Sequence, residues 1–279
     1  MATRIIVDST TDLIPEIKKE VRIVPLTVHF GEEEYIDGVT IDHKLFYEKL
    51  IESDVLPKTS QASPAAFMEQ FERAKESGDS AVVITVSSTL SGTYQSAMLA
   101  AQDYEDIYVV DSQSVAIGAS ILAERALQLA KEGVSAKEIA EKLEEEKTKI
   151  VMVALLDTLE YLKAGGRISK TVAFAGTVLN IKPALAVKDG QITILGKARG
   201  SKQGNNLLVQ EIQKAGGVNF DKPVLLGYTG LSDALLMKYM EDSKSIWENN
   251  LQQMRYTSVG SIIGTHAGPG AIAVAFFTL

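Results

Sequence analysis

Between Ser87 and Thr93 the chain gathers five hydroxyls around one glycine: Ser87, Ser88, Thr89, Ser91 and Thr93, with Gly92 among them. The run before them, Ala81 to Val86, is apolar and β-branched, the pattern of a buried strand. The run after them, from Ser96 through Ala101, favours a helix. A strand that ends in such a turn and feeds a helix points free backbone N–H groups outward. Those groups, the helix dipole and the hydroxyls together favour an anion. The turn holds no lysine or arginine, which points to a single carboxylate or phosphate held mainly by neutral donors. An ordinary Ser/Thr-capped turn has the same local signature.

His266 is one of three histidines. It lies in Thr265-His266-Ala267-Gly268-Pro269-Gly270, a Gly- and Pro-rich stretch expected to be a loop, where a histidine reads as a site residue. With Ser91 as nucleophile and His266 as base, the chain would be a serine hydrolase. The turn lacks the Gly-x-Ser-x-Gly elbow such enzymes use. A sugar- or nucleotide-phosphate-binding protein is a further alternative, although phosphate usually draws nearby Lys or Arg. Lys197 and Arg199 end a strand and are expected at a pocket mouth, facing a phosphate or an acidic partner, or simply solvent. Arg167, beside a double glycine, reads as a structural brace. His29 and His43 read as a strand and a surface position without a role. No grouping of His, Asp and Glu has metal-ligand spacing, and there is no Gly-x-x-x-x-Gly-Lys-Ser/Thr phosphate loop. No metal or cofactor is therefore expected.

These residues need a scaffold, and the chain is long enough for one. At 279 residues it suits two domains with a sizeable core. A balance of 28 basic against 36 acidic residues, net −8, argues against nucleic acid and against a polybasic membrane tether. It leaves open a small anion, which sees only the local field. There is no cysteine, which removes disulfides, thiolate metal sites and a cysteine nucleophile and fits a reducing compartment. The N-terminus enters a strand directly rather than reading as a signal peptide. No uncharged apolar run reaches the roughly 18 residues of a membrane span. The expectation is a soluble, cytoplasmic protein.

Residues 1–148 alternate strand and helix. Strands are expected at Arg4–Val7, Arg22–Phe30, Ala81–Val86 and Ile107–Val110. Helices are expected after Pro15, after Asp42, after Ser63-Pro64, over about 115–131, and after the capping box of Ser135 and Glu138. Gly31 to Gly38 reads as a polar turn and Pro57 to Pro64 as a loop. That alternation predicts a mostly parallel sheet with helices on both faces. The turns Asp8–Asp12, Ser87–Thr93 and Asp111–Ser114 would share its carboxyl edge, where open α/β sheets bind ligands.

Residues 149–279 have another rhythm. Strands are expected at Ile150–Leu155, Ala184–Lys188, Gln191–Lys197, Val224–Tyr228, Tyr256–Gly264 and Ala271–Phe277, with a hairpin at Asp189-Gly190. Helices are expected over Asp157–Lys163, within Thr171–Leu179, over about 204–215 and after Ser232 or Asp233. The class is α/β in two domains, the second a roughly six-stranded mixed sheet with helices.

Seven segments, in order along nearly the whole chain, resemble one family, the DegV proteins. They are Asp8-Ser9-Thr10-Thr11-Asp12-Leu13, Tyr35-Ile36-Asp37-Gly38, Thr59-Ser60-Gln61-Ala62-Ser63 and Ser87-Ser88-Thr89-Leu90-Ser91-Gly92-Thr93. Lys163-Ala164-Gly165-Gly166-Arg167-Ile168-Ser169, Leu179-Asn180-Ile181-Lys182-Pro183 and Thr265-His266-Ala267-Gly268-Pro269-Gly270 complete the set. One departure is Ala62, where the family often has proline. The DegV proteins are two-domain fatty-acid-binding proteins, some of which present bound fatty acid to a separate bacterial fatty-acid kinase. The resemblance implies a long-chain fatty acid whose carboxylate is held by Thr59 and Ser91 near His266, with Ser60, Gly92, Thr93 and His266 also expected to bind the ligand. It implies an acyl tail buried between the domains, with Val115–Leu122 and Val172–Leu179 as candidate linings, and phosphoryl transfer by a partner that brings ATP. The chain itself would then be no enzyme.

Overall fold

The computed structural model describes residues 2–168, 180–247, 250 and 254–279. The first half runs β1 (Thr3–Asp8), α1 (Pro15–Lys18), β2 (Arg22–Val24), β3 (Thr27–Phe30), β4 (Glu33–Ile36), α2 (His43–Glu52), β5 (Lys58–Ser60) and α3 (Pro64–Glu76). It continues with β6 (Ser80–Thr85), α4 (Thr93–Ala101), β7 (Ile107–Asp111), α5 (Ala116–Lys131), α6 (Ala136–Glu146) and a 3-10 turn at Lys147–Lys149. The second half runs β8 (Ile150–Leu155), α7 (Glu160–Ala164), β9 (Ile181–Lys188), β10 (Gln191–Arg199), α8 (Gly200–Lys214) and β11 (Leu225–Tyr228). It closes with α9 (Ala234–Asp242), α10 (Lys244–Trp247), β12 (Tyr256–Ser258), α11 (Ser261–Ala267) and β13 (Ile272–Phe277).

The first sheet is parallel, in the order β2-β1-β6-β7. β6 is buried along its whole length, which explains its unbroken apolar run: helices cover both faces. Phe46, Phe67, Phe71 and Ala97 of α2, α3 and α4 pack on one face, and Leu122, Ala126, Ile139 and Leu143 of α5 and α6 on the other. Asp42, Ser63 and Ser135 cap their helices as expected, Ser135 within a capping box. The turns after β1, β6 and β7 all leave the carboxyl edge of this sheet.

The single strand expected over Arg22–Phe30 is two strands in different sheets. Pro25 has no N–H to give a ladder, so β2 ends before it, and β3 joins a small antiparallel sheet, β4-β3-β5. Two stretches expected as turn and loop, Gly31–Gly38 and Pro57–Pro64, supply β4 and β5 of that sheet. Helix α4 begins at Thr93, three residues before the expected Ser96.

The second sheet is six-stranded, in the order β10-β9-β8-β13-β11-β12. β11 and β12 pair parallel and the other neighbours antiparallel. The β9–β10 hairpin turns at Asp189 and Gly190, both with positive φ (50° and 77°), the geometry that Asp-Gly accepts in a two-residue loop. α7 starts at Glu160 rather than Asp157, and α8 at Gly200 rather than 204. The helix expected within Thr171–Leu179 lies outside the described residues. No helix of the described residues is long and apolar enough to cross a membrane.

The largest departure is Tyr256–Gly264, expected as one strand hairpinned to Ala271–Phe277. The strand stops at Ser258, and Ser261–Ala267 is helix α11; β11 stands between β12 and β13. The physical reason lies far away in the chain. Gly260 N–H donates to Asp12 Oδ1 at 2.7 Å and Ser261 Oγ donates to Asp37 Oδ1 at 2.6 Å. Two buried carboxylates of the first half thereby cap a helix of the second. His43, given no role from sequence, sets Nδ1 3.1 Å from Val259 O and Nε2 2.9 Å from Gly230 O. Tyr47 Oη donates to Val259 O at 3.1 Å. Burial pushes the carboxyls of Asp12 and Asp37 upward in pKa, Asp12 strongly, and backbone and hydroxyl donors oppose the rise.

Helix α5 joins the halves along their length. One side packs on the first sheet; Ile117 and Ile121 pack on Met152, Leu225, Ala273 and Phe277 of the second. α11 in turn presses on α2: a Cβ at Gly264 would lie 2.5 Å from Tyr47 Oη and 2.6 Å from Phe46 Cε1. Gly264→Ala should therefore destabilise the protein by about 1–3 kcal/mol, the usual cost of overpacking. Chemical denaturation measures it, and an unchanged midpoint would refute this close approach.

Candidate functional site

The hydroxyl-rich turn after β6 divides its work. Ser87 Oγ and Thr89 Oγ1 both donate to Gly190 O, at 2.7 and 2.5 Å, latching the tip of the β9–β10 hairpin. Ser88 N–H donates to Asp111 Oδ1 at 3.2 Å. Three of the five residues are thus structural, and Ser91 and Thr93 remain. Their hydroxyls pair at 2.9 Å. Gly92 lies under Gln61, whose side-chain amide a Cβ there would strike; Gln61 Nε2 donates to Ser96 Oγ at 2.9 Å.

The other wall of the site comes from β5 and α11. Thr59 Oγ1 lies 3.0 Å from His266 Nε2, so residues 207 apart in sequence meet. His266 sits on α11, not in the expected loop, and its Nδ1 is buried with no hydrogen-bond partner. Gly165 packs flat against that nitrogen, where a Cβ would collide with the ring. Arg167 closes the circuit, donating from Nε to Leu90 O at 3.1 Å and from Nη1 to Gly165 O at 2.7 Å. It braces the turn as the sequence suggested, and it also lines the site. Ser60 lies alongside, with its hydroxyl 2.9 Å from His29 Nε2.

These polar groups border a cavity of about 400 Å³. Met152 and Ala154 of β8 and their ladder partners Val187 and Leu185 of β9 form an apolar wall. Leu26, Val86, Leu90 and Val115 face it from the first half, and Ile262 and Ile263 from α11. Thr59, Ser60, Ser91, Gly92 and His266 all line this space; Thr93 touches it only through Ser91. Lys197 and Arg199 do not line it and are exposed on β10. Of the candidate segment Val115–Leu122, Val115 alone faces the cavity, while Ile117, Ile121 and Leu122 are packed in the cores. Val172–Leu179 lies outside the described residues.

Arg167 is the one charged residue among the described lining. An anion placed here would meet a single guanidinium, several hydroxyls and a histidine. That set suits one negative charge better than two. Thr10, Gln61 and Arg167 are the polar lining residues to which sequence reasoning assigned no ligand. All three lie inside the quoted motifs, but nothing local in their spacing separates a brace from a pocket wall. Among the described residues no group of His, Asp and Glu is arranged to hold a metal ion.

A hydrolase needs Ser91 on His266 and a third group orienting the ring. Here Ser91 pairs with Thr93, His266 Nε2 pairs with Thr59, and Nδ1 meets no carboxylate. The serine-hydrolase alternative has no support in this geometry.

Comparison with known proteins agrees with the resemblance read from the motifs. The family model of the DegV proteins matches residues 2–279. A DegV domain-containing protein of Caldanaerobacter subterraneus is 35% identical over 279 residues, covering 98% of this chain and 97% of its own. Among solved structures, a DegV family protein from Thermus thermophilus, described by its fatty acid binding, superposes with a TM-score of 0.89 at 30% identity over all of both chains. The fatty acid kinase B3 protein of Streptococcus pneumoniae, loaded with linoleic acid, does so with a TM-score of 0.87 at 25% identity, again over all of both chains.

Burial, with Arg167 adding to it, pulls the His266 pKa down to about 4. The folded ring is then neutral where an unfolded histidine, at about 6.5, already takes a proton. Its contribution to stability is complete above about pH 6.5 and is lost as pH falls toward 4. In ligand-free protein, NMR of the imidazole should show a midpoint near 4. His266→Gln should lose less stability between pH 7 and pH 4 than the unmutated chain, by at most about 3 kcal/mol. A midpoint near the free-histidine value would contradict the burial.

Proposed function

The chain belongs to the DegV family, and from that premise we propose that it binds one long-chain fatty acid and presents it to a separate fatty-acid kinase. The observation that carries this reading is the cavity itself: about 400 Å³, apolar along most of its wall, with one cation and a cluster of hydroxyls along one border. A methylene fills about as much space as a water molecule, roughly 30 Å³, so such a cavity takes on the order of a dozen heavy atoms, the scale of a fatty acyl chain. Burying the roughly ten methylenes that such a space holds, at about 0.8 kcal/mol each, offers about 8 kcal/mol before binding losses. The carboxylate adds about 1.5–3 kcal/mol per charge-assisted hydrogen bond. On this reading the tail sets affinity and the head sets register.

In the proposed pose, Thr59 and Ser91 hold the carboxylate, His266 donates to it as a neutral imidazole, and Arg167 supplies the field. Ser60 of β5, Gly92 and Thr93 complete the ligand contacts. Residues 1–148 supply the turns and residues 149–279 most of the acyl wall. Lys197 and Arg199 would meet the kinase, since they project as two cations from one face of β10 in a chain of net charge −8. The phosphoryl transfer belongs to the partner, because no phosphate loop occurs in this sequence.

Purified protein should carry one long-chain fatty acid per chain, seen by native mass spectrometry and identified after denaturation. Ser91→Ala and Thr59→Val should each weaken retention by about 1–3 kcal/mol, a five- to 150-fold loss. Full affinity in both single variants and in the double variant would move the head group elsewhere.

Arg199→Glu should leave lipid binding intact and slow phosphorylation of the bound acid by a cognate kinase at least tenfold. Equal losses in the two assays would put Arg199 inside the pocket instead.

A further inference from the structure

A second space, of about 410 Å³, lies on the far edge of the first sheet, away from the acyl cavity. Its floor is β7, the free edge of the order β2-β1-β6-β7. Its walls are α4 and α6. Met98, Ala101 and Gln102 project from α4, and Lys137, Ala140, Glu141 and Glu144 from α6 at helical spacing.

The ladder fixes which backbone groups of β7 are available. Ala81 N–H donates to Asp106 O and Ser112 N–H to Thr85 O. In a parallel pair the bonding residues alternate, so the even-numbered residues of β7 face β6. The N–H and C=O groups of Ile107, Val109 and Asp111 therefore point into the space between the helices. Lys147 Nζ donates to Asp111 O at 2.9 Å and closes that end. Ile107 and Val109 have no partner for these groups among the described residues, and both are partly exposed. Natural edge strands are usually blunted by proline, a bulge or an inward charge. β7 pairs residue for residue with β6, without a bulge or proline, and carries no charge at Ile107, Tyr108, Val109 or Val110.

We propose that this slot receives an extended, alternately basic and apolar segment of a partner protein, added to β7 as a fifth strand. Charge selects the partner. Asp103, Glu105 and Asp106 are exposed where the slot begins; on its wall Glu141 stands with Lys137, and Glu144 pairs with Lys147 at 2.6 Å, so the excess of negative charge lies at the entrance. Exposed Met98 (44%) and the methyl of Ala140 offer apolar contact for alternate side chains. This is strand addition, in which main-chain bonds give affinity and the walls give specificity.

The test uses the full chain and the peptide acetyl-Lys-Val-Lys-Ile-Lys-Val-Lys-amide. Saturating peptide should slow hydrogen exchange at the Ile107 and Val109 amides at least tenfold. A peptide with Glu for Lys should bind at least tenfold more weakly. Val109→Pro removes an outward donor that the internal ladder does not use, and should weaken the basic peptide about tenfold or more, with fatty-acid content unchanged. Glu141→Lys, a surface change, should weaken it several-fold even if the proline variant does not fold. Unchanged exchange at both amides, equal binding of the two peptides, or an indifferent Glu141→Lys would each overturn the proposal. Sedimentation showing self-association that Val109→Pro abolishes would assign the slot to a second copy of this chain and overturn it too.

Discussion

The architecture of the site depends on two buried carboxylates and one short helix. Asp12 and Asp37 are taken out of water, which costs free energy unless donors replace the lost hydration. The N–H of Gly260, just before the Ser261–Ala267 helix, and the Ser261 hydroxyl do so, across 248 and 224 residues of sequence. The same bonds fix where that helix begins. His266 follows five residues after Ser261, about 7.5 Å along the axis at 1.5 Å per residue, which sets it against Thr59. The meeting of Thr59 and His266 is thus a consequence of an acid cluster that touches neither.

The elements that sequence revealed were those whose signals are local. Apolar runs at 5–7 and 81–84, the caps at Asp42, Ser63 and Ser135, and the Asp189-Gly190 turn each contain their own instruction. The part misread, Tyr256–Gly264, contains Ile262 and Ile263, which suit strand and helix alike in so short a run. What decides between them is Asp12 and Asp37, invisible at that distance. The small sheet of β3, β4 and β5 was missed because its strands are three or four residues long. In the site, Ser91 and His266 stood out by residue type, whereas Thr59 entered only through the family resemblance; the structure places all three on one cavity. That Ser87 and Thr89 are committed to Gly190 was not legible, since their acceptor lies in the other half of the chain.

A chain of net charge −8 can still offer a favourable place to an anion. The cavity removes water locally, so nearby dipoles and the single Arg167 charge count for more than the distant acidic surface. The histidine, held neutral by the same burial, would face such an anion as a dipole rather than as a charge. A neutral imidazole beside one guanidinium also keeps the empty cavity from carrying two unpaired positive charges, which would be costly to bury.

Helix α5 has no solvent side over its first two turns, because both sheets close on it. Many two-part binding proteins admit ligand by swinging their halves apart on a hinge. In this chain such a swing would strip Ile117 and Ile121 from the second sheet at about 1.5–3 kcal/mol for each side chain, before any hydrogen bond is counted. For a molecule entering this cavity, small, local openings of the wall would cost less than that swing, and the entry rate would then report the stability of one patch rather than the parting of domains.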